Sequence, residues 1–279
     1  MGVGHGKLYG TAYSTVSGDL ADVRFPQLAG EPGVSLDGAV VQRVDFSAMR
    51  FARFTAHDSA LSECDFTGTV FDDVSLGATT GLTETPWDRR NWPRTTYRDC
   101  VFRRTRFARH TYFGNARFER CLFDGARLRD VVFTQEAEFV DCVFRGPISR
   151  VNFWGRPGEH EAALGRDRNE FTGNDFTGAT LEWVAFNHVD LRAQRLPGAP
   201  SYALLDDVSR RVDAVLTAVA TWPDADHREE AAFSLGLLAE QAARYNDDLR
   251  LVRRDGPELG RTLPVELRQE LFDLLRSRG

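Results

Sequence analysis

Small and apolar residues recur every five positions along much of the chain. Stepping from Leu36 gives Leu36, Val41, Phe46, Phe51, Ala56, Leu61, Phe66, Phe71 and Leu76. Two residues before each stand Val34, Ala39, Val44, Met49, Phe54, Ser59, Cys64, Thr69 and Val74. The positions between these rows are mostly polar. An α-helix would rotate a side chain by about 140° over five residues, and a strand would send an odd step to its opposite face. Nine positions in phase therefore predict a backbone that turns a corner once per unit, a solenoid lined by both rows.

The register resumes at Tyr97, Phe102 and Phe107. After a one-residue slip it continues through Phe113, Phe118, Phe123, Leu128 and Phe133, and after a second slip through Phe139 and Phe144. Phe153 and a last run at Phe171, Phe176, Leu181, Phe186 and Leu191 complete it. Sixteen of the 20 phenylalanines fall on this row, so the pattern is structural. The units CDFTG (64–68), NDFTG (174–178), ATLEW (179–183) and VDLRA (189–193) resemble those of the pentapeptide-repeat family, A-(D/N)-(L/F)-x-x. The resemblance covers roughly residues 34–196. It implies a mainly β fold, a right-handed quadrilateral β-helix with about four units per coil; a C-terminal α-helical segment is read separately, from the periodicity after Pro197. Between six and seven coils at a strand spacing of about 4.8 Å would make a rod on the order of 30 Å long.

Two insertions break the register. Residues 77–96 are rich in Gly, Thr and Pro and place Trp87 and Trp92 beside Arg89, Arg90 and Arg94. Residues 154–168 form the second, with a helical turn expected around Glu161–Leu164. Loops on a repetitive scaffold are where individual chemistry enters, so these tryptophans and arginines are candidate binding residues; the alternative is that the tryptophans cap an irregular edge. Residues 1–33 are Gly-rich and weakly patterned. After Pro197 the period becomes 3.6. Leu204/Leu205, Val208, Val212, Val215/Leu216 and Val219 predict one helix, and Asp226 with Glu229 resembles a capping box before a second. A third is expected from about Thr262, with Pro264 in its first turn. Residues 197–279 are thus expected to cover the open end of the rod or to hold a homodimer together.

Composition narrows the classes. No apolar run is long enough to span a membrane, and no signal-peptide core follows Met1, so a cytoplasmic location is expected. Cys64, Cys100, Cys121 and Cys142 all occupy the small inward row, which predicts a buried ladder; metal-ligand spacing is lacking. The six histidines are scattered and read as surface residues. Neither a catalytic constellation nor a cofactor motif is legible.

Charge is more informative. Residues 36–76 carry seven acids and three arginines, whereas residues 97–130 carry nine arginines and four acids. The stretch YRDCVFRRTRFARHTYFGNARFERCLF (97–123) therefore alternates core phenylalanines with outward arginines, among them Arg103, Arg104, Arg106 and Arg109. An arginine wall suits carboxylates or phosphates of a partner. The family resemblance implies a non-catalytic protein-interaction module, with a type II topoisomerase such as DNA gyrase as partner and resistance to an antibiotic or toxin as outcome. Family members of that kind are acidic DNA mimics, whereas residues 34–196 hold 23 acids and 22 arginines. Direct nucleic-acid binding is not expected. Two other classes stay open: an adaptor or antibiotic-binding immunity protein, and a tailoring enzyme acting on a peptide near residues 77–96.

Overall fold

A computed structural model describes residues 2–8, 11–25, 33–78, 92–107, 111–131 and 134–277. The described residues are mainly β, with parallel sheets and four α-helices among them. Core positions pair in parallel from strand to strand: Leu20 with Val41, Val41 with Leu61, Leu61 with Tyr97, Tyr97 with Phe118, Phe118 with Phe139, and Phe139 with Phe171. Paired core residues such as Leu20 and Val41, Val41 and Leu61, or Tyr97 and Phe118 are 20 or 21 residues apart, four five-residue units with an occasional slip. The separation lengthens to 36 and 32 where the two insertions intervene.

The five-residue period places like side chains above one another. Phe46, Phe66, Phe102, Phe123, Phe144 and Phe176 form one column with ring centroids 4.5–4.9 Å apart and planes within 5° of parallel. A second column joins Tyr97, Phe118 and Phe139 at 4.8 and 5.0 Å. Burying each such ring contributes about 1.5–3 kcal/mol, and offset stacking adds to it. The four cysteines are buried in one column, and each thiol donates to a carbonyl of the preceding strand, as Cys121 does to Tyr97 at 3.3 Å. Contact with the Cys100 thiol, together with burial, pushes the Cys64 thiol far above its ordinary range. These thiols pack as small apolar side chains.

The chain bends through left-handed backbone at non-glycine residues. Asp22, Arg43, Glu63, Asp99, Arg120 and Asp141 all have φ between 51° and 56° at equivalent positions of successive strand layers. Each arginine of this column stands between two acids, so the strained column also carries ion pairs: Arg43 bonds Asp22 at 2.5 Å and Arg120 bonds Asp99 at 2.8 Å. Ala48 shares this conformation at φ 57° but has no side chain to hold it there. Left-handed backbone costs an L-residue about 1–2 kcal/mol, whereas the extra unfolded-state entropy of glycine costs about 0.5–1 kcal/mol. Ala48→Gly is therefore expected to stabilise the protein by about 0.5–1 kcal/mol, read as a rise in the denaturation midpoint; a fall would contradict the strain.

The paired strands begin before the region that the sequence pattern marks. Asp19–Ala21 pairs in parallel with Val40–Gln42, and Leu20 and Phe25 lie in the core, Phe25 stacking on Phe46 at 4.9 Å. Leu36 stands 11 positions after Phe25, one more than two units, which hides this layer from a fixed five-residue step.

At the other end, α1 (Glu161–Leu164) lies in the second insertion, and α2 (Val208–Val219), α3 (Ala225–Tyr245) and α4 (Val265–Ser277) follow. Leu204 and Leu205, expected in a helix, stand instead in strand Tyr202–Leu205, antiparallel to Arg250–Arg253. The Tyr202 hydroxyl accepts the Leu181 N–H at 2.9 Å and holds this segment against the last parallel strand, and Asp207 at φ 45° separates strand from helix. The N-cap of α3 is Asp224, whose Oδ1 accepts the His227 N–H at 2.9 Å, two residues before the expected cap. Val208, Val212, Val215 and Val219 of α2 pack with Leu235, Leu238 and Ala242 of α3 and Leu271 and Leu275 of α4 in a second apolar cluster. His188 N–H donates to the Tyr245 carbonyl at 2.8 Å, so α3 is bonded directly to the end of the sheet structure. Among the described residues no helix is long and apolar enough to cross a membrane.

Candidate protein-interaction site

Most outward arginines are engaged across the strand step. Arg24 pairs with Asp45, Arg50 with Asp72, Arg53 with Asp73, Arg98 with Glu119, and Arg103 with Asp124, at 2.7–3.1 Å. These bonds join successive strand layers. The Arg120 guanidinium, hydrogen-bonded to Asp99, holds that carboxyl below its ordinary range. Of the candidate binding arginines, Arg103 is thus committed internally, and Arg94 pairs with Glu138 at 3.0 Å.

Arginines without such a partner also occur, and four of them stand on three successive strand layers. Arg104, Arg106, Arg127 and Arg145 are exposed and form no ion pair within 4 Å among the described residues. Arg106 and Arg127 are direct parallel bridge partners, and Asp124, already held by Arg103, is the strand partner of Arg145. Like charges opposite one another destabilise a sheet, and no acid offsets this pair, because the other strand partner of Arg106 is Val70. This basic edge is what an anionic partner would neutralise. Trp87, Arg89, Arg90 and Arg109 lie outside the described residues.

The two insertions meet over a buried polar cluster that the sequence reading missed. Glu136 and Glu138 are each 3% exposed. Glu138 Oε2 lies 3.0 Å from Arg94 and 3.1 Å from Arg117, and its Oε1 lies 3.3 Å from Arg166. Arg117 also pairs with Glu170 at 2.7 Å. Arg166 donates to the Glu136 carbonyl and, at 3.0 Å, to Asn115 Oδ1, while Asn115 Nδ2 donates to the Trp92 and Pro93 carbonyls at 2.9 Å. Two carboxylates, Glu138 and Glu170, therefore meet three guanidiniums. Burial pushes the Arg166 guanidinium below its ordinary value, with Glu138 opposing the shift.

Trp92 completes this clasp. Its ring lies 5.1 Å from His160, and the Trp92 backbone N–H donates to the Ala163 carbonyl in α1 at 3.0 Å. Gly77 and Gly114 allow the backbones to close beneath it: a Cβ on Gly114, whose φ is 56°, would stand 2.0 Å from the Gly77 carbonyl oxygen. Glu136 Oε1 lies 3.3 Å from both the Tyr112 hydroxyl and His160 Nε2. Burial, then the Glu136 charge, pushes the Tyr112 phenol far above its ordinary range, so it remains a proton donor. Of the histidines read as surface residues, His57 is buried and bonds Asp37 Oδ1 through Nδ1 at 2.9 Å.

No protein-family model and no curated protein matches the chain. Its solved structural neighbours are pentapeptide-repeat proteins. QnrB1, a plasmid-mediated fluoroquinolone resistance protein, is 14% identical; the match covers 75% of this chain and 100% of that one, with a TM-score of 0.21. HetL, a pentapeptide repeat protein involved in heterocyst differentiation regulation from the cyanobacterium Nostoc sp. strain PCC 7120, is 12% identical over 66% of this chain and 83% of its own, with a TM-score of 0.23. Superpositions this weak carry no inference about partners or mechanism, which must come from the side chains themselves.

Proposed function

We propose that the chain is a cytoplasmic, non-catalytic protein-interaction module. Its parallel sheets would be the walls of a right-handed, four-sided β-helix, capped by residues 197–279. The regular strand step and the columns of stacked rings support that architecture. An interior filled by phenyl rings leaves recognition to the outer surface. The proposed contact is the basic edge of Arg104, Arg106, Arg127 and Arg145, and the partner surface presents carboxylates or phosphates. The observation that carries this reading is the Arg106–Arg127 bridge, two arginines facing each other without an acid, in a molecule that sets an acid against many of its outward arginines.

The proposed partner is a type II topoisomerase, with fluoroquinolone protection as the outcome, on the strength of the repeat resemblance. A DNA gyrase supercoiling assay with and without ciprofloxacin tests it: micromolar protein is expected to inhibit supercoiling or restore it in the presence of drug. If it does neither, gyrase is not the partner. Arg127→Glu supplies a sharper arm, because it places an acid opposite Arg106. Its thermal midpoint is expected to hold or rise slightly, while the gyrase effect weakens by about tenfold or more. An unchanged gyrase effect would remove the basic edge from the interface.

A further inference from the structure

A separate cavity of about 240 Å³ lies between the last parallel strands and the helical segment. It is small beside ligand sites generally, which run about 300–1,000 Å³. Leu181, Val184, Phe186 and Leu191 contribute one side, and Leu238 and Leu251 face them. At the rim stand Trp183 and Leu237, 46% and 44% exposed. Trp183 has a φ of 55°, an unusual conformation for so bulky a residue.

Charged and polar groups break this apolar lining at one end. Arg253 is held in a two-point ion pair by Asp255, at 2.6 and 3.1 Å. Glu258 Oε1 accepts the Arg253 N–H at 2.9 Å, and burial pushes its carboxyl above the ordinary range. Arg250 differs. Its guanidinium donates to Gln241 Oε1 at 3.0 Å and has no carboxylate within 4 Å among the described residues. Burial pulls it down, with the Glu258 charge opposing. A guanidinium carries five N–H donors, so most of its donor capacity is open. Asn246 Oδ1, in a residue only 7% exposed, is a buried acceptor without a partner, although its Nδ2 donates to the Phe186 carbonyl.

We propose that this cavity binds a small organic monocarboxylate, with the carboxylate on Arg250, a hydroxyl or amine donor on Asn246 Oδ1, and an apolar body against Leu181, Phe186 and Leu238. A part-buried cation with no acid beside it and an orphaned buried acceptor call for opposite hydrogen-bonding ends on one ligand. The apolar lining between them excludes a purely ionic ligand such as phosphate, and the Glu258 carboxyl in the same lining disfavours a second negative charge.

Isothermal titration of the full chain with 4-hydroxyphenylacetate tests this assignment. A dissociation constant below about 1 mM is expected. The matched neutral probe, 4-hydroxyphenylacetamide, and phenylacetate, which lacks the hydroxyl, are expected to bind about tenfold more weakly. Arg250→Met should weaken the acid by about tenfold or more while leaving the amide unchanged. Leu237→Trp, at an exposed position that does not threaten the fold, should fill the mouth and abolish binding. Equal binding of acid and amide, binding unaffected by Leu237→Trp, or no binding of the acid would each overturn the proposal.

Discussion

Phe102→Ala is expected to destabilise the protein by about 3–5 kcal/mol. Phe102 is fully buried and lies between Phe66 and Phe123, with centroids 4.8 and 4.9 Å away and planes tilted by only 2° and 5°. Tyr97, Phe107 and Phe118 surround the same ring at 6.1 Å. Truncation removes apolar burial, leaves a cavity that stacked neighbours cannot collapse into, and breaks two ring contacts worth about 0.5–1.5 kcal/mol each. In a chain of this size the thermal midpoint should fall by roughly 6–20 °C. Phe233, 70% exposed on α3, provides the comparison: its truncation should shift stability by less than about 0.5 kcal/mol. A loss below about 1.5 kcal/mol for Phe102→Ala would show that the column is not a close-packed core.

Glu138→Leu should have an effect of similar size for an electrostatic reason. The carboxylate is buried among Arg94, Arg117 and Arg166 and also accepts the Glu170 N–H at 3.2 Å. Removing one partner of a buried ionic network strands the other charges and costs about 3–5 kcal/mol. Glu138→Leu combined with Arg166→Leu removes opposite charges together, and is expected to recover roughly 1–3 kcal/mol of that loss. Denaturant titration of the two single variants and the double variant measures the coupling. Hydrogen exchange at Glu161–Leu164 should accelerate in the Glu138 single variant, because Arg166 no longer anchors the second insertion. Strict additivity would mean that the cluster does not act as a unit.

The basic edge and the clasp differ in how far they could be foreseen. Arg106 and Arg127 are one strand step apart, so their juxtaposition follows once that step is known. The same step aligns Asp99 with Arg120. Glu136 and Glu138 carry no such signal. They flank Ala137 in an ordinary repeat unit, and their burial depends on Arg94 and Arg166 arriving from insertions far apart in sequence. Strand Tyr202–Leu205 was hidden because its leucines also suit the apolar stripe of α2; pairing with Arg250–Arg253 decided between them.

By itself, the sequence determined which side chains form the core, because a five-residue period survives only where the backbone turns once per unit. It also determined the change to helical packing after residue 197 and the outward direction of the arginines. Only the tertiary structure decided which of those arginines are neutralised, where the two insertions meet, and that a cavity remains beside Arg250. Those outcomes depend on contacts between segments tens of residues apart. Local periodicity fixes the direction of a side chain but carries no information about what stands opposite it.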